Sequence, residues 1–295
     1  MRAVAVAVAI TSALPASSRG SPPAAGPNAE LHGPWSAAVE PFRVVGNIHY
    51  VGARNIASYL ITTPEGHILI DTGTKEMEPV VRRNVEQLGF KLRDIKILLS
   101  GHAHFDHVGA HAAMKRATGA RVMALGDDAA ALSSGIDRSP LGDEGWEPVP
   151  VDRVLQDGDT VTLGGTTLRA VWVPGHTPGC TVWTTRARER DKDYSVAFFA
   201  CAGPNKDVQL VGNPKFPHLV DDTLRGFARL RQLEPDIYLL MHPEEQFAGK
   251  VERIKAGASP HPLYDPKGWT TMLDELDADF HQRVEKAQKS TSRSR

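Results

Sequence analysis

Cysteine is nearly missing from this 295-residue chain: the two present are too few for a disulfide-built scaffold or a four-thiolate zinc site, though enough for one bridge. Neither sign of charge dominates. Lys and Arg total 34 against 35 Asp and Glu, so there is no strong field to hold nucleic acid or an acidic membrane by counterion release. Aromatic residues make up only 6%, yet 41% of the chain is hydrophobic and 23% charged, ordinary globular values that exclude intrinsic disorder and collagen-like or low-complexity chains. The longest apolar run at the amino terminus falls well short of the ~20 residues of a membrane span. Histidine is the exception to this scarcity, with twelve residues.

Met1 and Arg2 precede an apolar run over residues 3–10 and small residues through Ser18, the layout of a secretory signal. We expect residues 1–18 to be cleaved, which places the mature protein in the periplasm with no inserted membrane segment. A buried N-terminal strand or a membrane anchor is the alternative. The Pro/Gly/Ala-rich stretch 19–34 reads as a flexible arm leading to Trp35, residues 35–290 as one domain and 291–295 as a polar tail. Trp269, Leu273, Leu276, Phe280 and Val284 recur at three- and four-residue spacing, which predicts a terminal amphipathic helix packed on that domain.

Short β-rich runs at 42–45, 48–51, 59–62 and 67–70, separated by Gly/Pro/Asn/Asp turns, predict an antiparallel meander. Pro79 opens a helical pattern closed by Gly89, and an apolar strand at 95–99 runs into Ser100-Gly101-His102. A helix ending at Gly119 and a strand at 121–125 follow. Strands near 160–163, 167–173, 180–185 and 195–200, a helix near 222–233 and a strand at 237–240 repeat that grammar. One domain of two β-then-α halves is the simplest architecture.

The chemistry concentrates in His102-Ala103-His104-Phe105-Asp106-His107, four donors in six residues where an apolar strand meets a helix. In an extended loop, side chains two apart point the same way, so His102 and His104 can share one metal. Asp106 and His107, at the helix start, can turn toward a second. Imidazole and carboxylate suit hydrolytic zinc, not thiolate-rich structural zinc. His176 and His242 also follow apolar strands, at 170–173 and 237–241. The remaining histidines, His32, His49, His67, His111, His218, His261 and His281, lack that context and are assigned no metal role. His111, one turn past His107, is expected to face solvent or neighbouring helices.

On this His102, His104, Asp106, His107 loop the chain resembles the metallo-β-lactamase superfamily, most closely the third subclass of its zinc β-lactamases. The resemblance implies an α/β fold, an αβ/βα four-layer sandwich of two β-sheets flanked by helices. It also implies two zinc ions per chain, the first held by His102, His104 and His176 and the second by Asp106, His107 and His242. Glyoxalase-like and lactonase-like members place a bridging aspartate after the strand at 195–200, where this chain has Cys201-Ala202-Gly203-Pro204. The implied activity is opening of the β-lactam ring by a metal-held hydroxide, with Asp106 as the catalytic group, in a monomer acting on a small molecule. The alternatives are an exported lactonase or thioesterase of the same superfamily, or a non-catalytic zinc-binding protein. Two departures lower the expected potency: Gly101 and Ala202 stand where the subclass usually carries hydroxyl side chains.

Three further residues are open at this level. Asp71, after the strand at 67–70, is either the acceptor that fixes a zinc histidine or a turn-capping residue of Asp-Thr-Gly. Lys206 is either an anchor for the substrate carboxylate or a solvated lysine, and Asn213 is a candidate substrate contact in the same loop. A symmetric hairpin centred between Arg190 and Asp191 would set Cys180 opposite Cys201. Strand-pair spacing of ~4.5–5.5 Å between Cβ atoms exceeds what a relaxed bridge wants, so two packed thiols are expected.

Overall fold

Successive residues of the central strands point to opposite apolar layers, and those strands are accordingly hydrophobic over most of their length, with charged residues such as Lys96 and Arg121 confined to their beginnings. The computed structural model describes residues 33, 35–142 and 144–293; residues 1–18 and, apart from Gly33, the stretch 19–34 lie outside the described residues. The first sheet has seven strands in sequential order: β1 (Phe42–Val45), β2 (Ile48–Tyr50), β3 (Tyr59–Thr63), β4 (Gly66–Ile70), β5 (Ile95–Leu99), β6 (Arg121–Leu125) and β7 (Arg153–Leu155). Its first four strands form the expected antiparallel meander, and β4 through β7 run parallel. The second sheet, in the order β12-β11-β10-β9-β8, comprises β8 (Thr160–Leu163), β9 (Thr166–Trp172), β10 (Thr181–Glu189), β11 (Lys192–Phe199) and β12 (Ile237–Leu240).

Helices cover the outer faces of the sheets, two short ones excepted. Those of the first half are α1 (Glu78–Gln87), α2 (Phe105–Val108), α3 (His111–Thr118) and α4 (Gly126–Ser134); those of the second are α5 (Leu219–Leu230), α6 (Glu244–Phe247), α7 (Val251–Lys255) and α8 (Pro266–Arg293). The exceptions are α6 and α7, which send Phe247 and Ile254 into the core between the sheets. Along β3, β4 and β5, Tyr59, Ile61, Ile68, Ile70, Ile97 and Leu99 join a core between the sheets, with Trp183 and Phe198 from the other side. The alternate residues Leu60, Leu69 and Leu98 pack with Val81, Met114 and Leu132 of the helices. On the far side Phe227 and Leu230 of α5 meet Trp269, Leu273 and Phe280 of α8 over the second sheet. Three apolar layers thus separate four structural ones, the αβ/βα sandwich the sequence resemblance implied.

The structure departs from expectation at several elements, among them the short helices α6 and α7, which the sequence pattern did not reveal. Helix α4, with its weak Gly-Asp-Asp-Ala start, and β7, three residues with Arg153 and Val154 exposed, carry little periodicity and escaped the sequence reading. Helix α8 continues through Arg293, into the expected polar tail. The strands expected at 180–185 and 195–200 reach further toward each other: β10 and β11 pair out to Glu189 opposite Lys192, leaving a turn at Arg190 and Asp191.

That symmetric register does bring Cys180 to Cys201, and they form a disulfide with Cα atoms 6.6 Å apart, which corrects the expectation of free thiols. Both cysteines lie just outside the paired residues, since β10 begins at Thr181 and β11 ends at Phe199. Beyond the ladder the backbone no longer holds the regular cross-strand spacing, and the separation falls within the range a bridge tolerates.

Candidate metal centre

The strand ends of both sheets converge on one cluster. The turn after β5 carries His102 and His104 into α2, where Asp106 and His107 stand in the helix itself. His176 lies in the loop after β9, and His242 two residues past β12. Donor atoms of His102, His104 and His176 lie within 4.8 Å of one another, as do those of His102, Asp106 and His107. His242 reaches the second group through Asp106, whose Oδ2 is 3.4 Å from Nε2 of His242 and 3.4 Å from Nε2 of His107. All six residues expected from the sequence are therefore together.

Hydrogen bonds aim each ring. His107 Nδ1 lies 2.8 Å from Oδ2 of Asp71, a carboxylate that can only accept, so Nδ1 carries a proton and Nε2 is the nitrogen turned toward Asp106. The other oxygen of Asp71 accepts from the backbone N–H of Gly101 at 2.7 Å. Asp71 is wholly buried and sits at φ 58°, a left-handed conformation that Asp tolerates better than most residues. These contacts place its carboxylate behind the His107 ring and against Gly101 rather than across the Asp-Thr-Gly turn. His176 Nδ1 donates to Gly203 O at 3.0 Å, and His242 Nδ1 to Asn55 O at 2.8 Å.

The electrostatics of the two groups differ. Burial, reinforced by neighbouring rings, holds His102 well below its ordinary value, and burial brings His104 down to about 4 and His176 to about 3. These imidazoles are neutral at pH 7, with lone pairs available to a cation. Burial disfavours charge on Asp106, yet His107, His242 and His104 outweigh it and hold the carboxyl below the usual carboxylate range. Burial would likewise lower His107, but Asp106 and Asp71 on its two sides push it up to about 10. The field that draws a proton to Nε2 of His107 would draw a metal cation to the same lone pair.

Both ring nitrogens of His102, together with Nε2 of His104 and of His107, are buried without a hydrogen-bond partner. Orphaned buried nitrogens are costly unless something satisfies them, and a cation preferring imidazole and carboxylate does so. The donor set fits zinc. Cys201 contributes no ligand, because its sulfur is in the disulfide.

The other expectations divide. Of the two expectations for His111, the solvent-facing one fails: it is fully buried, 2.8 Å from Thr72 Oγ1, where α3 packs on the loop after β4. A Cβ added at Gly101 would lie 2.5 Å from Cβ of Ala200, so Ala200 fills the room a serine would need. Lys206 is exposed and shares a recess of about 250 Å³ with His176, Ala202, Asp279 and Arg283. Asn213 is turned into its own loop: its Oδ1 accepts from the N–H groups of Lys215 and Phe216, and its Nδ2 donates to Gln209 O. The sequence reading missed Asp128 of α4, a buried carboxylate bonded to the loops around His102 and His176. Asp127-Asp128 closely follows an apolar strand, as His176 and His242 do, but that pattern does not single out the buried Asp128 from the exposed Asp127.

The family model of the metallo-beta-lactamase superfamily matches residues 51–242, which include all six candidate ligands. The chain belongs to the metallo-beta-lactamase superfamily. Among solved members it is similar to the native FEZ-1 metallo-beta-lactamase from Legionella gormanii, at 34% identity and a TM-score of 0.82, over 86% of this chain and 99% of that one. It is also similar to LRA-12, a class B3 di-zinc metallo-beta-lactamase from an Alaskan soil metagenome (32% identity, TM-score 0.79, 85% of this chain and 96% of that). A hydroxyacylglutathione hydrolase from Bradyrhizobium sp. (strain BTAi1) is 32% identical over 119 residues, 40% of this chain. That match spans only 39% of the curated relative's length.

Proposed function

We propose that this superfamily hydrolase opens the β-lactam ring of antibiotics with two zinc ions bound per chain. The observation that carries the reading is the bend after β11, where Cys201 is tied to Cys180 and no carboxylate stands to bridge two metals. That leaves Asp106, His107 and His242 to hold the second ion, while His102, His104 and His176 hold the first. The likeness to FEZ-1 and LRA-12 over nearly their whole length supports a β-lactam substrate, whereas the likeness to the thioester hydrolase covers a minority of either chain.

Bound zinc would supply a Lewis acid for the lactam carbonyl and lower the pKa of a water molecule toward neutrality. Asp106 is the group for proton transfer: its ionised carboxylate, between His107 and His242, can take the proton of the attacking water. Delivering it to the ring nitrogen as the C–N bond breaks gives the ring-opened amino acid, with one water consumed. Asp71 keeps His107 in the tautomer a metal requires, and Gly203 O and Asn55 O do the same for His176 and His242. Lys206 is proposed to receive the substrate carboxylate, with Asn213 shaping the loop that carries it.

The test is turnover by the zinc-loaded protein of nitrocefin, a penicillin, a carbapenem, S-lactoylglutathione and a homoserine lactone. Turnover of the β-lactams that EDTA abolishes and clavulanate leaves intact is expected, since no acylated serine is involved. Hydrolysis of the thioester or the lactone with no β-lactam turnover would overturn the proposal, as would the absence of any hydrolysis.

A further inference from the structure

Three ligands of the first metal come from two loops that are far apart in sequence, one after β5 and one after β9. Something must fix the distance between them. Asp128, in the first turn of α4 and 2% exposed, touches both. Its Oδ2 accepts from the N–H of Ala103 at 2.9 Å and from the hydroxyl of Thr177 at 2.7 Å, and its Oδ1 accepts from the N–H of Gly179 at 2.7 Å. Ala103 lies between His102 and His104; Thr177 follows His176.

All three neighbours donate, so the ionised carboxylate satisfies every one of them, although burial pushes the group up to about 6. The approach is close. A Cβ at Gly179 would collide with Leu125 O and lie 2.7 Å from Cβ of Asp128, so the His176 loop rests directly on the start of α4. Among the described residues the Asp128 carboxylate bonds to Ala103, Thr177 and Gly179 and not to Asp106, His107 or His242, of which His107 is supported by Asp71 and His242 by Asn55.

We infer that Asp128 is a positioning residue for the first metal, a buried carboxylate that sets the spacing of the loops bearing His102, His104 and His176. The inference rests on the metal-site part of the proposed function, and not on its β-lactam substrate. Asparagine at this position retains one acceptor and turns an amide N–H toward a donor, so one loop must draw away from the other. A residue that only stabilised the fold would weaken both metals together, whereas one that spaces these two loops weakens the first alone.

The experiment is zinc titration of the full-length protein against a chromophoric chelator, with no substrate present. Asp128→Asn and Thr177→Val are each placed in a His242→Ala background, which reports the first ligand group, and in a His104→Ala background, which reports the second. Asp128→Asn should lower first-group affinity by about 10- to 100-fold, and Thr177→Val by less in the same direction, with second-group affinity unchanged. Equal loss in both backgrounds, or loss in neither, overturns the inference. Should Asp128→Asn fail to fold by circular dichroism, Thr177→Val, which deletes one bond of the three, decides by the same criterion. Failure to hydrolyse β-lactams would leave this result standing, so the two readings fail separately.

Discussion

Replacing Asp71 by asparagine isolates the chemistry of one ligand from the shape of its surroundings. Asparagine matches the volume of aspartate and tolerates the left-handed backbone at φ 58°, so no refolding of the turn is required. What changes is hydrogen-bond polarity. Asp71 accepts from Gly101 N at 2.7 Å and from His107 Nδ1 at 2.8 Å, and an amide can accept only one of these. A backbone N–H cannot become an acceptor, but an imidazole can shift its proton. The amide oxygen therefore stays with Gly101, its NH2 faces His107, and the ring is driven to the tautomer with the proton on Nε2. That nitrogen then has no lone pair for a metal. If the ring instead keeps its tautomer, two buried donors face each other at a cost of about 1–3 kcal/mol. Either route weakens the second ion by about 10- to 100-fold while His102, His104 and His176 keep the first. Zinc titration in the His104→Ala background reads the affinity, and nitrogen NMR of His107 reads the tautomer. Unchanged second-group affinity with the proton still on Nδ1 would refute the reasoning.

Gly101→Ser should destabilise the protein by about 1–3 kcal/mol, lowering Tm by several degrees, because its Cβ would sit 2.5 Å from that of Ala200. Ala200→Gly in the same chain should recover most of the loss, and additive losses in thermal melts would show that the two sites are independent. Arg283 of α8 donates to Pro204 O at 3.0 Å and Asn205 O at 2.7 Å, flanking the Gly203 carbonyl that holds His176. Arg283→Ala should therefore lower first-group zinc affinity about 10-fold in the chelator titration, and an unaltered value would detach α8 from the site. If Lys206 anchors the substrate carboxylate, Lys206→Ala should raise KM several-fold with little change in kcat, and an unchanged KM for penicillins and carbapenems would dismiss it.

Where a residue's environment is set by its own strand, the sequence showed it. The 95–99 run alternates between two apolar layers because both faces of β5 are covered, so past the exposed Lys96 at its start it is continuously hydrophobic. Histidines just beyond strands of that kind stood out for the same reason: they interrupt an apolar run at its end, and the ends of buried strands converge. The register of β10 and β11 was also legible, because a two-residue turn at Arg190 and Asp191 fixes every pair behind it, including the meeting of Cys180 and Cys201. What was not legible depended on a partner from another element. A residue such as Asp128 has no periodicity of its own, and nothing local distinguishes it from the exposed Asp127 beside it until α4 is packed beneath the His176 loop. His111 is the same case reversed, since its burial is decided by Thr72, 39 positions earlier in the chain. The disulfide was misjudged because ideal ladder spacing was applied to two positions that lie beyond the ladder. In each case the missing quantity was a distance between loops, and in this protein that distance also sets where a metal can sit.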